Sequence, residues 1–159
     1  MSQLPWEVRV LRSPEPAAQA VVSATRLLEA GDRAGAERSY DEAQRQPLLH
    51  PASWSNLAAL GIGLGDAAGA REHARRALQL DRAFADGWVN FGVASWQLGQ
   101  HRDAAQAMHR ALELAPGLEA AALNYARMLQ AVDRGAQAQK MLGHAALANS
   151  RAWRLRQAL

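Results

Sequence analysis

The chain of 159 residues has no cysteine. That excludes disulfides, thiolate nucleophiles and cysteine-based metal sites, and leaves the redox compartment open. No apolar run approaches the roughly 20 residues that cross a bilayer. Met1 to Pro16 carry Glu7, Arg9 and Arg12 among their apolar residues, so they lack the uninterrupted core of a secretory signal. A cytoplasmic protein without a membrane partner is the expectation. Lysine is nearly absent: Lys140 stands alone against 17 arginines, a bias that points to a GC-rich, bacterial genome more than to a function. β-Branched residues and Pro are scarce while Ala, Leu and Arg dominate. That mix favours helix, because these side chains lose least on entering one.

The formal charge is only +3, and acids and bases interleave at helical spacing, as in Asp41/Arg45 and Glu72/Arg76. The one concentrated basic patch, Arg151, Arg154 and Arg156, reads as a solvated helix end, so no nucleic-acid partner is expected. Catalytic constellations are missing too. His50, His73, His101, His109 and His144 form no i, i+4 pair with an acidic partner at ligand spacing. Gly61-Ile62-Gly63-Leu64-Gly65 ends a helix and is not a strand-to-helix phosphate loop. Ser23, Ser55 and Ser95 have no positioned base. The expectation is a non-enzyme without cofactor or metal.

What the sequence has in abundance is self-similarity. At an offset of 34 residues, Trp54-Ser55-Asn56-Leu57-Ala58 falls over Trp88-Val89-Asn90-Phe91-Gly92, then over Ala122-Leu123-Asn124-Tyr125-Ala126. Ala20-Val21-Val22-Ser23-Ala24 is a weaker upstream copy. Gly31, Gly65 and Gly99 coincide, as do Ala36, Ala70, Ala104 and Ala138, and Ala43, Ala77, Ala111 and Ala145. Four units follow, 17–50, 51–84, 85–118 and 119–152, after an N-terminal extension over 1–16 and before a capping helix that starts at 153–159. Each unit reads as two amphipathic helices. In the third, the spacing predicts one helix over Asp86–Leu98, closed by Gly99, and a second over Arg102–Leu114, stopped by Pro116 and Gly117. The recurring small residues let two antiparallel helices approach closely.

Trp88, Phe91, Gly92, Gly99, Ala104, Met108, Ala111 and Pro116 together resemble the tetratricopeptide repeat. Trp54, Leu57, Ala58, Gly65, Ala70 and Ala77 repeat the pattern. The outer units are degenerate, with Ala20 and Ala122 in place of Trp and Asp133 in place of Gly, as terminal units of a stack often are. The resemblance implies an all-α fold, a right-handed superhelical stack of four helix–turn–helix hairpins with a short C-terminal cap. It also implies that the first helix of each hairpin lines a concave groove. Carried over position by position, the groove would present Val21, Val22, Thr25 and Leu28, then Ser55, Asn56, Ala59 and Ile62. Unit three would add Asp86, Val89, Asn90, Val93, Trp96 and Gln97, and unit four Leu123, Asn124, Arg127 and Gln130. The positions from which family members clamp chaperone tails with Lys and Arg hold Val21, Thr25, Ser55, Ala59, Asn90, Ala120 and Asn124 here, so binding of such tails is not expected.

Asn56, Asn90 and Asn124 share the sixth position of their units, and stacking should align them as a ladder. An Asn amide offers a donor and an acceptor, so it can pair with the backbone of an extended peptide. The arrangement is similar to the asparagine ladder in the tetratricopeptide superhelix of O-linked N-acetylglucosamine transferases. Val21, Val22, Leu28, Ile62, Val89, Val93 and Trp96 would add an exposed apolar strip, the mark of a partner surface, with Trp96 as its hot spot. Trp54 and Trp88 take core positions, and Trp6 and Trp153 would cover the two ends of the stack. The expected function is a scaffold that holds a protein or peptide partner in the groove. The alternatives are the substrate-recruiting part of a larger enzyme such as a protein glycosyltransferase, and weak self-assembly through the stack ends at Trp153 and Leu155. A further option is that residues 1–13 fold back into the groove as an intramolecular ligand.

Overall fold

The computed structural model describes residues 6–15, 17–141 and 143–144. Arg151, Trp153, Arg154, Leu155 and Arg156, to which the sequence assigns a capping or self-associating role, lie outside the described residues. Seven helices follow one another: α1 (Ala17–Glu29), α2 (Arg33–Gln44), α3 (Pro51–Leu64), α4 (Ala67–Leu80), α5 (Ala85–Gln97), α6 (His101–Leu114) and α7 (Glu119–Ala131). The backbone is helical again over 135–141. Helices pair as antiparallel hairpins, and each hairpin packs on the next, first helix beside first helix: α1 on α3, α3 on α5, α5 on α7.

The 34-residue period is written into the turns. After α1, α3 and α5, Gly31, Gly65 and Gly99 each take a left-handed conformation, with φ of +85°, +79° and +76°. In each turn two backbone N–H groups close back on the helix, as Gly65 to Ile62 O and Asp66 to Gly61 O. This 5→2 and 6→1 pair satisfies carbonyls that the helix end would orphan. The turn after α7 repeats it, Asp133 bonding Gln130 O and Arg134 bonding Leu129 O. There the left-handed position is held by Asp133, at φ +60°, the only non-glycine with positive φ among the described residues. Asp32 and Asp66 then cap the next helix, each accepting from a backbone N–H three residues on, Gly35 and Gly69, at 2.9 Å.

Small residues set the distance between the two helices of a hairpin. Ala36, Ala70, Ala104 and Ala138 are fully buried, as are Ala43, Ala77 and Ala111. At Gly92 a Cβ would fall 3.2 Å from both Ala104 O and the Ala107 Cβ, and 2.6 Å from the Met108 Cε. Only a bare backbone lets α5 lie this close to α6, and Met108 fills the remaining space. Units are also stitched by polar contacts. The Tyr40 hydroxyl donates to Asp66 Oδ2 at 3.1 Å across the first two units. Burial and that carboxylate push the Tyr40 pKa up. The Trp54 and Trp88 indoles, half-buried, donate to the carbonyls of Leu48 and Arg82, each six residues upstream in the preceding loop. Both tryptophans therefore tie a unit to the one before it.

Candidate functional site: an occupied groove

The first helices α1, α3, α5 and α7 stand side by side, and residues 6–15 run across them from unit four towards unit one. The Glu7 N–H donates to Asn124 Oδ1 at 2.8 Å, and Asn124 Nδ2 donates back to the Glu7 carbonyl at 2.7 Å. Four residues on, the Leu11 N–H donates to Asn56 Oδ1 at 2.7 Å and Asn56 Nδ2 to the Leu11 carbonyl at 2.8 Å. Each amide thus satisfies both polar groups of one residue, as a neighbouring strand does in a hydrogen-bonded pair. Extended backbone rises ~3.3 Å per residue, so the four-residue step covers about 13 Å and bridges two units.

Side chains fix the direction and register. Arg9 forks onto Asp86, with Nε to Oδ1 at 2.7 Å and Nη2 to Oδ2 at 2.6 Å, and this hydrogen bonding raises the Arg9 pKa. Arg127 Nη2 reaches Glu7 Oε1 at 3.2 Å, while Arg127 Nη1 is buried without a partner among the described residues. Trp6 stands edge-on to Trp96 with centroids 6.3 Å apart, and Trp96 stacks on His101 at 4.2 Å. Trp6 and Val8 pack on the cluster that contains Ile62, Val89 and Val93. Further along, Ser13 bonds Ser53, and Glu15 Oε1 accepts from the Leu49 N–H. The Trp6-Glu7-Val8-Arg9 run alternates half-buried apolar with exposed charged residues, the period of a strand with one face covered.

Several sequence-based placements need correction. Asn56 and Asn124 meet the main chain of the N-terminal segment, but Asn90 does not: its Nδ2 donates to the Ser55 carbonyl and hydroxyl at 2.9 and 2.8 Å. Ser55 sits one unit back and offers two acceptors at once, so the middle amide turns into the stack. Ile62, Val89 and Val93 do not form an exposed strip; they are 2%, 1% and 0% exposed. Neighbouring first helices enclose them and the N-terminal segment lies over them. Val21 is buried likewise, whereas Val22 remains 38% exposed beside an open cleft of about 610 Å³ between α1 and residues 10–15. Trp6 lies in the groove and not at a stack end. Its contact with Trp96, the Arg9–Asp86 fork and the Glu7–Arg127 pair escape a motif-based reading because they belong to an irregular segment outside the repeat. The apolar–charged alternation of residues 6–9 is the signal that could have found them.

Magnitudes say how firmly the segment is held. Four hydrogen bonds net ~0.5–1.5 kcal/mol each, about 2–6 kcal/mol in all. Ordering six residues costs ~1–2 kcal/mol apiece, about 6–12 kcal/mol. Partial burial of Trp6 and Val8, at ~1.5–3 kcal/mol for a fully buried side chain, adds to the gain, which is then of the same order as the cost. The Arg9 side chain is 52% exposed, so its pair with Asp86 adds little on this scale.

Residues 85–118, the third unit, match the family model of the tetratricopeptide repeat. The fold is a tetratricopeptide-repeat stack. Among solved structures, MamA superposes with a TM-score of 0.66 at 15% identity, over 89% of this chain and 83% of that one. The first tetratricopeptide domain of human RPAP3 gives 0.63 at 21% identity, over 79% and 98%. YrrB, described as having an unusual peptide-binding site, gives 0.63 at 17% identity, over 84% and 69%. Among curated proteins no sequence matches this one. Among the described residues no three His, Asp or Glu converge as a metal site, and no helix is long and apolar enough to cross a membrane.

Proposed function

We propose that this protein is an interaction module whose groove holds an extended polypeptide by its main chain, and that its own N-terminal segment is the resting occupant. One observation carries the reading: Asn56 and Asn124 each pair with both the N–H and the C=O of a single residue. An amide used this way grips any sequence except one with proline at the paired residue. Solved stacks of the same fold support it. The Spaghetti (RPAP3) domain carries an HSP90 peptide, and the second RPAP3 domain an HSP70 peptide. Here the groove grips with amides and holds Arg127 where a side-chain carboxylate sits, so the occupant is read as an internal stretch of chain.

The test is amide hydrogen exchange on the full chain carrying Asn56→Ala and Asn124→Ala. Exchange at Glu7 and Leu11 should accelerate at least tenfold while the amides of α3 to α6 keep their protection. Unaltered protection at both positions would reject the main-chain grip.

A further inference from the structure

The groove does more than grip a backbone, and the resting occupant shows what else it selects. We infer that the partner of this groove is a protein segment with an aromatic, an acidic, an aliphatic and a basic residue in succession, which displaces residues 6–11 and lies in the same direction. The inference rests on the main-chain reading and adds a side-chain code to it.

Four features set that code. Asp86 receives a guanidinium fork from Arg9 on both carboxylate oxygens. Arg127 stands one unit further and takes the acid at Glu7. These charges have opposite sign and fixed order along the groove, so a segment laid in reverse, or one with acid and base exchanged, puts like charges together. Trp96, backed by His101, offers its ring to the aromatic residue that precedes the acid. The aliphatic residue between acid and base falls on the Ile62, Val89 and Val93 cluster, as Val8 does.

The present occupant leaves room for a better one. Arg127 gives Glu7 a single contact at 3.2 Å, and its buried Nη1 has no partner among the described residues. A carboxylate seated squarely on Arg127 would engage both nitrogens. A cleft of about 400 Å³ beside Glu7, Val8 and Arg9, bounded by Leu118, Glu119, Ala120 and Leu123, gives a larger side chain somewhere to go. The buried members of both large clusters all come from residues 21–128, and the segment packs only on the outside of one of them, through Trp6 and Val8. Displacement therefore does not require the stack to unfold.

The experiment uses the full chain with Trp6→Ala and Arg9→Ala, which keeps the segment but loosens it, and a fluorescent peptide of sequence WEVRVLRSPE. Polarisation at low salt should show binding. The peptide WRVEVLRSPE, with acid and base exchanged, should bind about tenfold more weakly, and the gap should narrow in 1 M salt. Adding Asp86→Arg and Arg127→Glu to the loosened chain should reverse the preference. Equal affinity for both peptides would overturn the code while leaving the main-chain grip standing. Absence of binding by either peptide, with helicity intact by circular dichroism, would overturn the grip and the code together. Should the loosened chain itself double in mass by light scattering, with the wild-type segment of a second copy added in trans restoring a stable pair, the groove pairs with its own kind and the proposed separate partner is wrong.

Discussion

At His73 the chain has placed a titratable ring where water does not reach. The imidazole stacks on Trp54 at 5.6 Å and meets Tyr40 edge-on at 5.9 Å. Its Nε2 lies 3.1 Å from Gln44 Oε1, and Nδ1 is buried with no partner among the described residues. Neutral imidazole with the proton on Nε2 suits that site, since Nδ1 then carries only a lone pair. Burial depresses the His73 pKa below its ordinary 6.5; Asp66 and Glu72 pull it up and Arg76 pushes it down, without reversing the result. Because the folded state binds the proton less readily than the unfolded one, stability is complete above about pH 6.5 and declines as pH falls below it. The thermal midpoint should therefore drop between about pH 7.5 and 5.5, and His73→Phe should make that drop measurably smaller in calorimetry. An identical drop in both proteins would clear His73 of the effect. Sequence alone showed this residue only as one of five His without a partner at ligand spacing. Its surroundings come from two other helices, Tyr40 and Gln44 from α2 and Trp54 from α3, and leave no local pattern.

Among the elements, the turn after α7 is the one that departs from its copies. Asp133 holds the conformation that Gly31, Gly65 and Gly99 hold elsewhere, at a cost of ~1–2 kcal/mol for a residue with a Cβ, less for Asp than for most. Asp133→Gly should stabilise the fourth unit by about 0.5–1 kcal/mol, read as a higher urea midpoint with unchanged slope. No gain would mean that the Asp side chain offsets its own strain. The same comparison shows why the hairpins were legible in the sequence. Glycine at the exits and alanine at the crossings are demanded by geometry that recurs every 34 residues, so the period exposes them. The groove was legible only in part. Asn56, Asn124, Asp86 and Arg127 follow from their place in the unit, because helix position decides which way a side chain faces. Asn90 occupies an equivalent place, yet a Ser one unit back captures it, and that choice depends on the neighbour rather than on the position. Val89 and Val93 escaped for the same reason: whether a residue on the inner face sees water depends on what the next helix and the N-terminal segment cover.

The molecule as a whole combines a rigid stack with a lightly held strap. Local opening of the strap should proceed without global unfolding, since its contacts are few and half-exposed while the helices have their own buried clusters. Arg9 is then a reporter, because trypsin can cut after it only when the strap lifts. Asp86→Ala combined with Arg127→Ala should raise the rate of cleavage after Arg9 at least fivefold, followed by mass spectrometry, with the thermal midpoint of the helices shifted by less than about 3 °C. A cleavage rate insensitive to both substitutions would show that the ion pairs do not hold the strap.

The inward turn of Asn90 has a consequence for what the groove will accept. Val8, Arg9 and Val10, which lie between the two gripped positions, make no main-chain bond to the stack, so their N–H groups are not required for docking. Imino acids and N-alkylated residues are thus barred at the places of Glu7 and Leu11, where an amide donor is consumed, but tolerated in between wherever the charge of Arg9 can be dispensed with. The chain's own prolines respect that rule: Pro5 precedes the gripped stretch, and Pro14 and Pro16 follow it. A backbone-modified ligand, capped against proteases at the permissive positions and left natural at the two gripped ones, would fit this groove by the same logic.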